Sequence, residues 1–233
     1  MTEIYRYPAL SPGRLLRRYK RFLADVELSA GETVAAFCPN SGSMKGCSEP
    51  GSRVMLSPAG SPGRKTGYTL EMVMADGVWV GVNTLLTNRL AHNMLSMGLI
   101  EELAPYRVLR REASCGDSRL DFLLGKGERR CYLEVKNVTL REGAACRFPD
   151  AVTLRGLRHL HALMGAVGEG HGAFMLYVVQ RKDCGCFAPA EDIDPGYSRA
   201  LRLAVRRGVK ALAYGLEVSP EGVSLSGRLP LIL

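Results

Sequence analysis

Two domains of the α+β class are predicted: a small antiparallel barrel over residues 1–88, then an α/β domain with a mixed sheet over residues 89–233. Three observations carry this reading. The 233-residue chain is longer than the roughly 100–150 residues of most single domains. Up to Asn88 the chain reads as short strands punctuated by Gly, Pro, Ser and Asn, and beyond it helical spacing alternates with apolar strands. An apolar fraction of 46% with 23% charged residues supports a buried core and excludes a disordered or collagen-like chain.

In the first domain, RRYKRFLADVEL sets Phe22, Ala24, Val26 and Leu28 at alternate positions, the period of a strand. ETVAAFCP, SRVMLSP, GYTLEMVM and VWVGVN follow, with PNSGS, EPGS, PAGSPGRK and ADG as the turns between them. Asp76-Gly77 just before Trp79 and Val80 signals a hairpin. Five short strands at this spacing suggest a barrel.

In the second domain, RLAHNMLSMGLIEEL carries Leu90, Met94, Leu95, Met97 and Leu99 at helical spacing and is closed by Pro105. Strands RVLRREA, SRLDFLL and RCYLEVKNV come next. A helix capped by Asp150 follows, with Val152, Gly156, Leu160, Leu163, Met164 and Val167 as its buried stripe. Strand AFMLYVVQR, helix YSRALRLAVRRGV and a last strand KALAYGLEV complete the chain.

Thirty-one Lys and Arg against 23 Asp and Glu leave a net charge of +8, which favours polyanionic partners, nucleic acid first. The N-terminus has no apolar core of signal-peptide length, and no segment approaches the ~18 unbroken apolar residues of a membrane span. A soluble, cytoplasmic protein with no membrane partner is expected. Its seven cysteines are then expected to stay as thiols. Cys184 and Cys186 form a C-x-C, but no second Cys/His pair accompanies them at zinc-finger spacing.

The chemistry concentrates in SRLDFLLGKGERRCYLEVKNV. Glu134 and Lys136 are two apart and so share one face of a strand, while Leu133 and Val135 take the other. The spacing back to Asp121 suits a hairpin that sets the two carboxylates side by side. Two such oxygens, with water, form the hard donor set that Mg²⁺ or Mn²⁺ accepts. Lys136 would orient water or offset charge on a phosphate, and Glu112, on the preceding strand, offers a third acid. Glu-x-Lys alone is common on exposed strands. Here it follows a helix and two strands and precedes a helix and a strand, the order of the PD-(D/E)xK nuclease core.

Around that centre, Arg155 and His159 lie four apart on the next helix, positioned to reach a phosphate or to form an ordinary basic face. Gln180 ends the following strand and would bond the attacking water or the lysine, or serve as an unremarkable strand end. In the barrel, Arg14, Arg17, Arg18, Lys20 and Arg21 are interleaved with Tyr19 and Phe22. Cations for phosphates beside rings for bases suit single-strand binding; the alternative is a core phenylalanine among solubilising arginines. The loop CPNSGSMKGC, with Lys45, has small residues whose N–H groups suit a phosphate nest. It lacks the GK[ST] ending of a nucleotide-hydrolysing loop.

Over nearly its whole length the sequence resembles the sugar fermentation stimulation protein family, SfsA, through RYKRFLADVEL, CPNSGSMKGC, GYTLEMV, VGVNTLLTNRL, SRLDFLL, CYLEVKNVTL, FPDAVTLRGLRHL and GVKALAY. The resemblance implies an OB-like barrel ahead of a PD-(D/E)xK nuclease-like domain, an association with DNA, and Asp121, Glu134 and Lys136 on the nuclease-like motif with Glu112 accessory. The favoured reading is a Mg²⁺-dependent nuclease acting on single- or double-stranded DNA. Its rivals are a DNA-binding regulator of sugar metabolism genes whose nuclease-like domain does not cut, and an RNA-processing or RNA-binding protein.

Overall fold

A computed structural model describes residues 1–59 and 66–233. The turn expected from PAGSPGRK falls largely in 60–65, outside the described residues. Strand β1 (Thr2–Arg6) does not join the barrel: it pairs antiparallel with the last strand of the chain, β16 (Gly222–Leu229), at the edge of the C-terminal sheet. The barrel itself comprises β2 (Ser11–Tyr19), β3 (Leu23–Leu28), β4 (Thr33–Phe37), β5 (Arg53–Pro58) and β6 (Tyr68–Ala75), closed by parallel pairing of β4 with β6, with β7 (Val78–Gly81) paired outside β6. Its interior holds Leu15, Val26, Ala36, Val54, Leu56, Leu70 and Val73.

RRYKRFLADVEL forms two strands and not the single one expected, because Lys20 and Arg21 both adopt positive φ, 47° and 64°. Such a turn normally announces itself with Asn or Gly; two cations give no such signal. The Asp76–Gly77 turn, with φ of 52° and 78°, joins β6 to β7 as expected.

Helix α1 (Thr84–Ser96) begins at its cap Asn83, whose side chain accepts the Leu85 N–H at 3.0 Å. It ends at Met97–Gly98, well short of Pro105, which follows a 3₁₀ turn at Glu101–Leu103. Next come β8 (Arg107–Cys115), β9 (Ser118–Lys126) and β10 (Arg129–Val138), then β11 (Leu140–Glu142) and β12 (Ala145–Phe148), which the sequence did not announce. Helix α2 (Leu154–Gly168) is capped by Thr153, not Asp150, and Val152 lies outside it, 70% exposed rather than in the buried stripe. The chain finishes with β13 (Gly172–Val179), β14 (Cys186–Pro189), α3 (Pro195–Arg206), β15 (Lys210–Val218) and β16.

The large sheet runs β1-β16-β15-β13-β10-β9-β8, parallel at β10–β13 and β13–β15 and antiparallel elsewhere; β11, β12 and β14 form a small second sheet. Alternation along the central strands sorts the core. Leu133, Val135, Phe174, Leu176 and Val178 pack with Leu90, Ala91 and Met94 of α1. Ala173, Met175, Tyr177 and Val179 pack with Leu160, Leu163, Leu201 and Ala204 of α2 and α3. No helix among the described residues is long and apolar enough to cross a membrane.

Arg181 fastens barrel to sheet. Fully buried, it donates to both oxygens of Asp183 (2.7 and 2.8 Å), to Thr139 O (2.9 Å) and to Asp76 of the β6–β7 turn (2.9 Å). One cysteine expectation fails: Cys146 on β12 and Cys184 before β14 form a disulfide, leaving Cys184 no free thiolate for a C-x-C metal site. The parallel pairing of β12 with β14 brings them together, and nothing local in the sequence announces that pairing.

Candidate active site

Antiparallel pairing of β9 with β10 runs through Leu133↔Phe122, so the next residues, Glu134 and Asp121, stand opposite one another. The ladder opens here. The Val135 N–H goes to the Asp121 carboxylate (Oδ2, 2.8 Å), and Asn88 of α1 donates to its other oxygen at 2.6 Å. Glu134 and Lys136 face α2, where His159 is buried. Lys136 Nζ lies 2.5 Å from Glu134 Oε1 and 3.1 Å from His159 Nδ1, and His159 Nδ1 contacts the same Glu134 oxygen. Arg155 donates through Nε to His159 Nε2 at 3.4 Å. Glu134 Oε2 is buried and has no partner among the described residues.

The two acids have opposite electrostatics. Burial, and then the charge of Glu134, push the Asp121 carboxyl up to about 7, against the Val135 N–H, the Asn88 amide and Lys136. Burial also opposes ionisation of Glu134, but the Lys136 charge and the His159 hydrogen bond outweigh it and hold the group below its ordinary value. Neighbouring carboxylates of this kind separate into one readily ionised member and one reluctant member. A cation at the free Glu134 oxygen would relieve Asp121, so the donor chemistry fits a divalent ion.

These side chains line a cleft of about 460 Å³, walled by Asn40–Gly42 of the barrel, the first turns of α1 and α2, and Phe148–Val152. Exposed Glu112 lines it too, from β8, across from Asp121 and at a φ of 53°. Among the described residues no three His, Cys, Asp or Glu side chains gather closely enough to hold a metal; Glu112 lines the same cleft as Asp121 and Glu134.

Other expected contacts fall elsewhere. Gln180 is buried and donates to Asn137 Oδ1 (2.6 Å) and Thr87 Oγ1 (3.2 Å), bracing residues behind the cleft rather than reaching Lys136. Arg18 turns inward and donates to the carbonyls of Arg21, Asn40, Gly42 and Ser43 at 2.7–3.1 Å, so it holds the 40–43 loop rather than a phosphate. That loop is no open nest. Three of its N–H groups are taken: Gly42 by Asn40 Oδ1, Met44 by Asp150 Oδ2, Lys45 by Ser43 Oγ. Lys45 itself is exposed and 3.6 Å from Glu142.

Lys20 and Arg21 are exposed at the β2–β3 tip, and Phe22, 42% exposed, lies near Phe37. Arg17 pairs with Asp25 at 2.7 Å and covers the Tyr19 ring. Arg155 is exposed, whereas His159 is buried against Glu134 and not part of a solvated basic face. Asn88 was missed: within an amphipathic helix a polar residue carries no sign of the acid it will meet.

A closed OB barrel followed by a mixed-sheet domain, with two facing acids and a lysine in the cleft between them, defines a two-domain class of protein. Within that class the chain belongs to the sugar fermentation stimulation protein family. Residues 16–82 match the SfsA N-terminal OB domain and residues 85–222 the sugar fermentation stimulation protein RE domain. It is 52% identical over 231 residues to a sugar fermentation stimulation protein homolog of Geotalea daltonii, covering 99% of this chain and all of the relative. It is 54% identical over 230 residues to the homolog of Thioalkalivibrio sulfidiphilus, covering 97% of each. The structure of Pyrococcus furiosus SfsA in complex with Ca²⁺ matches with a TM-score of 0.93 at 28% identity, over the full length of both chains.

Proposed function

We propose that the chain is a metal-dependent nuclease that hydrolyses phosphodiester bonds of DNA, using Mg²⁺ or Mn²⁺. The unit over residues 1–88 grips a strand, and that over 89–233 cuts it. The observation that carries this is that Asp121, Glu134 and Lys136 line one cleft, with Lys136 on Glu134 Oε1 and the buried Glu134 Oε2 without a partner among the described residues. The Ca²⁺ in the related Pyrococcus furiosus structure supports a divalent ion. When bound, such an ion lowers the pKa of its water and offsets charge on the phosphate.

The chain's own residues do the rest. Asp121 and Glu134 supply the anionic seat, Lys136 stabilises negative charge developing on the phosphate, and His159 holds Glu134 through Oε1. The exposed cations Lys20 and Arg21 at the barrel tip attract the backbone.

The test is incubation of purified protein with Mg²⁺ or Mn²⁺ and labelled single- and double-stranded DNA, with matched RNA alongside. Wild-type protein should yield DNA fragments. Asp121→Asn and Lys136→Ala should yield none while still binding DNA. Undiminished cutting by either variant overturns the site. No products from the wild type overturns the activity and leaves a DNA-binding protein that does not cut; preferential cutting of RNA overturns the choice of polymer.

A further inference from the structure

We infer that the cleft takes an unpaired stretch of one or two nucleotides, so that the substrate is single-stranded or locally opened DNA rather than intact duplex; this rests on the nuclease reading and narrows it. Size comes first. The cleft's 460 Å³ falls in the roughly 300–1,000 Å³ range of sites that enclose one small ligand.

Two helices begin at this cleft. Asn83 caps α1 and Thr153 caps α2, and neither helix carries an acid in its first turn. Both ends already have carboxylates beside them: Asp194 takes the Thr153 N–H at 2.9 Å and Glu71 takes the Asn83 amide at 2.8 Å. The cation this wall offers beside the acids is therefore Lys136. A backbone phosphate is the anion that suits both Lys136 and a cation seated on the acids.

The walls also carry apolar side chains that the fold leaves uncovered. Leu85, in the first turn of α1, is 66% exposed, and Val152, just before α2, is 70% exposed; both line the cleft. Neither packs in the core. Duplex DNA presents only stacked base edges and phosphates, whereas an unpaired base offers a flat apolar face. Aliphatic wedges such as Leu insert against base faces where DNA is partly unstacked. An opened strand with its phosphate toward Lys136 and its base against Leu85 and Val152 satisfies both sets of groups.

The experiment measures fluorescence anisotropy of labelled single-stranded and blunt duplex oligonucleotides of equal length, in Ca²⁺, with the full-length protein. The single strand should bind about tenfold more tightly. Leu85→Ser and Val152→Ser, at exposed positions where folding is undisturbed, should each weaken single-strand binding several-fold and leave duplex binding unchanged. Leu203→Ser, an exposed leucine on α3, serves as the control and should change neither. Equal or tighter duplex binding, or rim variants at wild-type affinity, overturns the inference. Absence of cleavage by the wild-type protein sinks the nuclease reading alone, because these affinities are read without cutting.

Discussion

Asn88 donates its side-chain amide to Asp121 at 2.6 Å, and this bond ties the first helix after the barrel to the acid at the centre of the site. The helix begins where the barrel ends, so the position of Asp121 is coupled to the junction between domains as well as to its own strand. The expected outcomes below follow from that coupling and from the charges around it.

Asp121 titrates near 7, against an ordinary value of 3.8. A carboxyl raised by folding favours the folded state most when protonated; its contribution is complete below about 3.8 and disappears as the pH climbs through about 7. Metal-free wild-type protein should therefore lose stability between pH 4 and 8 more steeply than Asp121→Asn. Urea midpoints across that range test this, and parallel profiles contradict it.

A divalent ion that binds only the folded chain stabilises it by about 2.7 kcal/mol at a hundredfold excess over Kd. Ca²⁺, Mg²⁺ or Mn²⁺ should raise the Tm of the wild type and leave Asp121→Asn unmoved. The rise should be larger at pH 8 than at pH 5, since the ion competes with the Asp121 proton. Equal shifts in the two proteins would place the ion elsewhere.

Gly81 abuts Gln180, and a Cβ on it would lie 2.3 Å from Gln180 Oε1. Gln180 cannot swing away without giving up Thr87 and Asn137. Gly81→Ala should cost about 1–3 kcal/mol by overpacking, visible as a lower urea midpoint. Wild-type stability would show that the junction yields freely.

The barrel's cations divide by role. Lys20→Ala and Arg21→Ala should each lower the slope of log affinity against log salt by about one without affecting the Tm. Arg18→Ala should instead destabilise the protein by about 1–3 kcal/mol, through the carbonyl partners it abandons. A salt-slope change from Arg18→Ala at unchanged Tm would assign it to the backbone contacts after all.

The legible parts of this fold are those governed by local period and turn chemistry. Glu134 and Lys136 share a face because they are two apart, and the hairpin back to Asp121 follows from a Gly-rich loop between two apolar strands. The Asp76–Gly77 turn was readable for the same reason. By contrast, β1 pairs with β16 from the opposite end of the chain, Thr2 against Leu225, and β11, β12 and β14 are too short to stand out. Arg18 and Gln180 were assigned outward-looking roles because long polar side chains normally seek solvent; here carbonyls and amides brought in from other segments engage them instead.

Residue order along β9 and β10 decides that two acids and a lysine come together, since alternation and hairpin register operate over a few peptide units. Packing alone decides what meets them. His159 arrives on α2, Asn88 on α1 and the Asn40–Gly42 loop from the barrel, and each approach depends on how whole helices and domains bury their apolar faces. Those contacts are between segments far apart in the chain, where local spacing carries no information about distance.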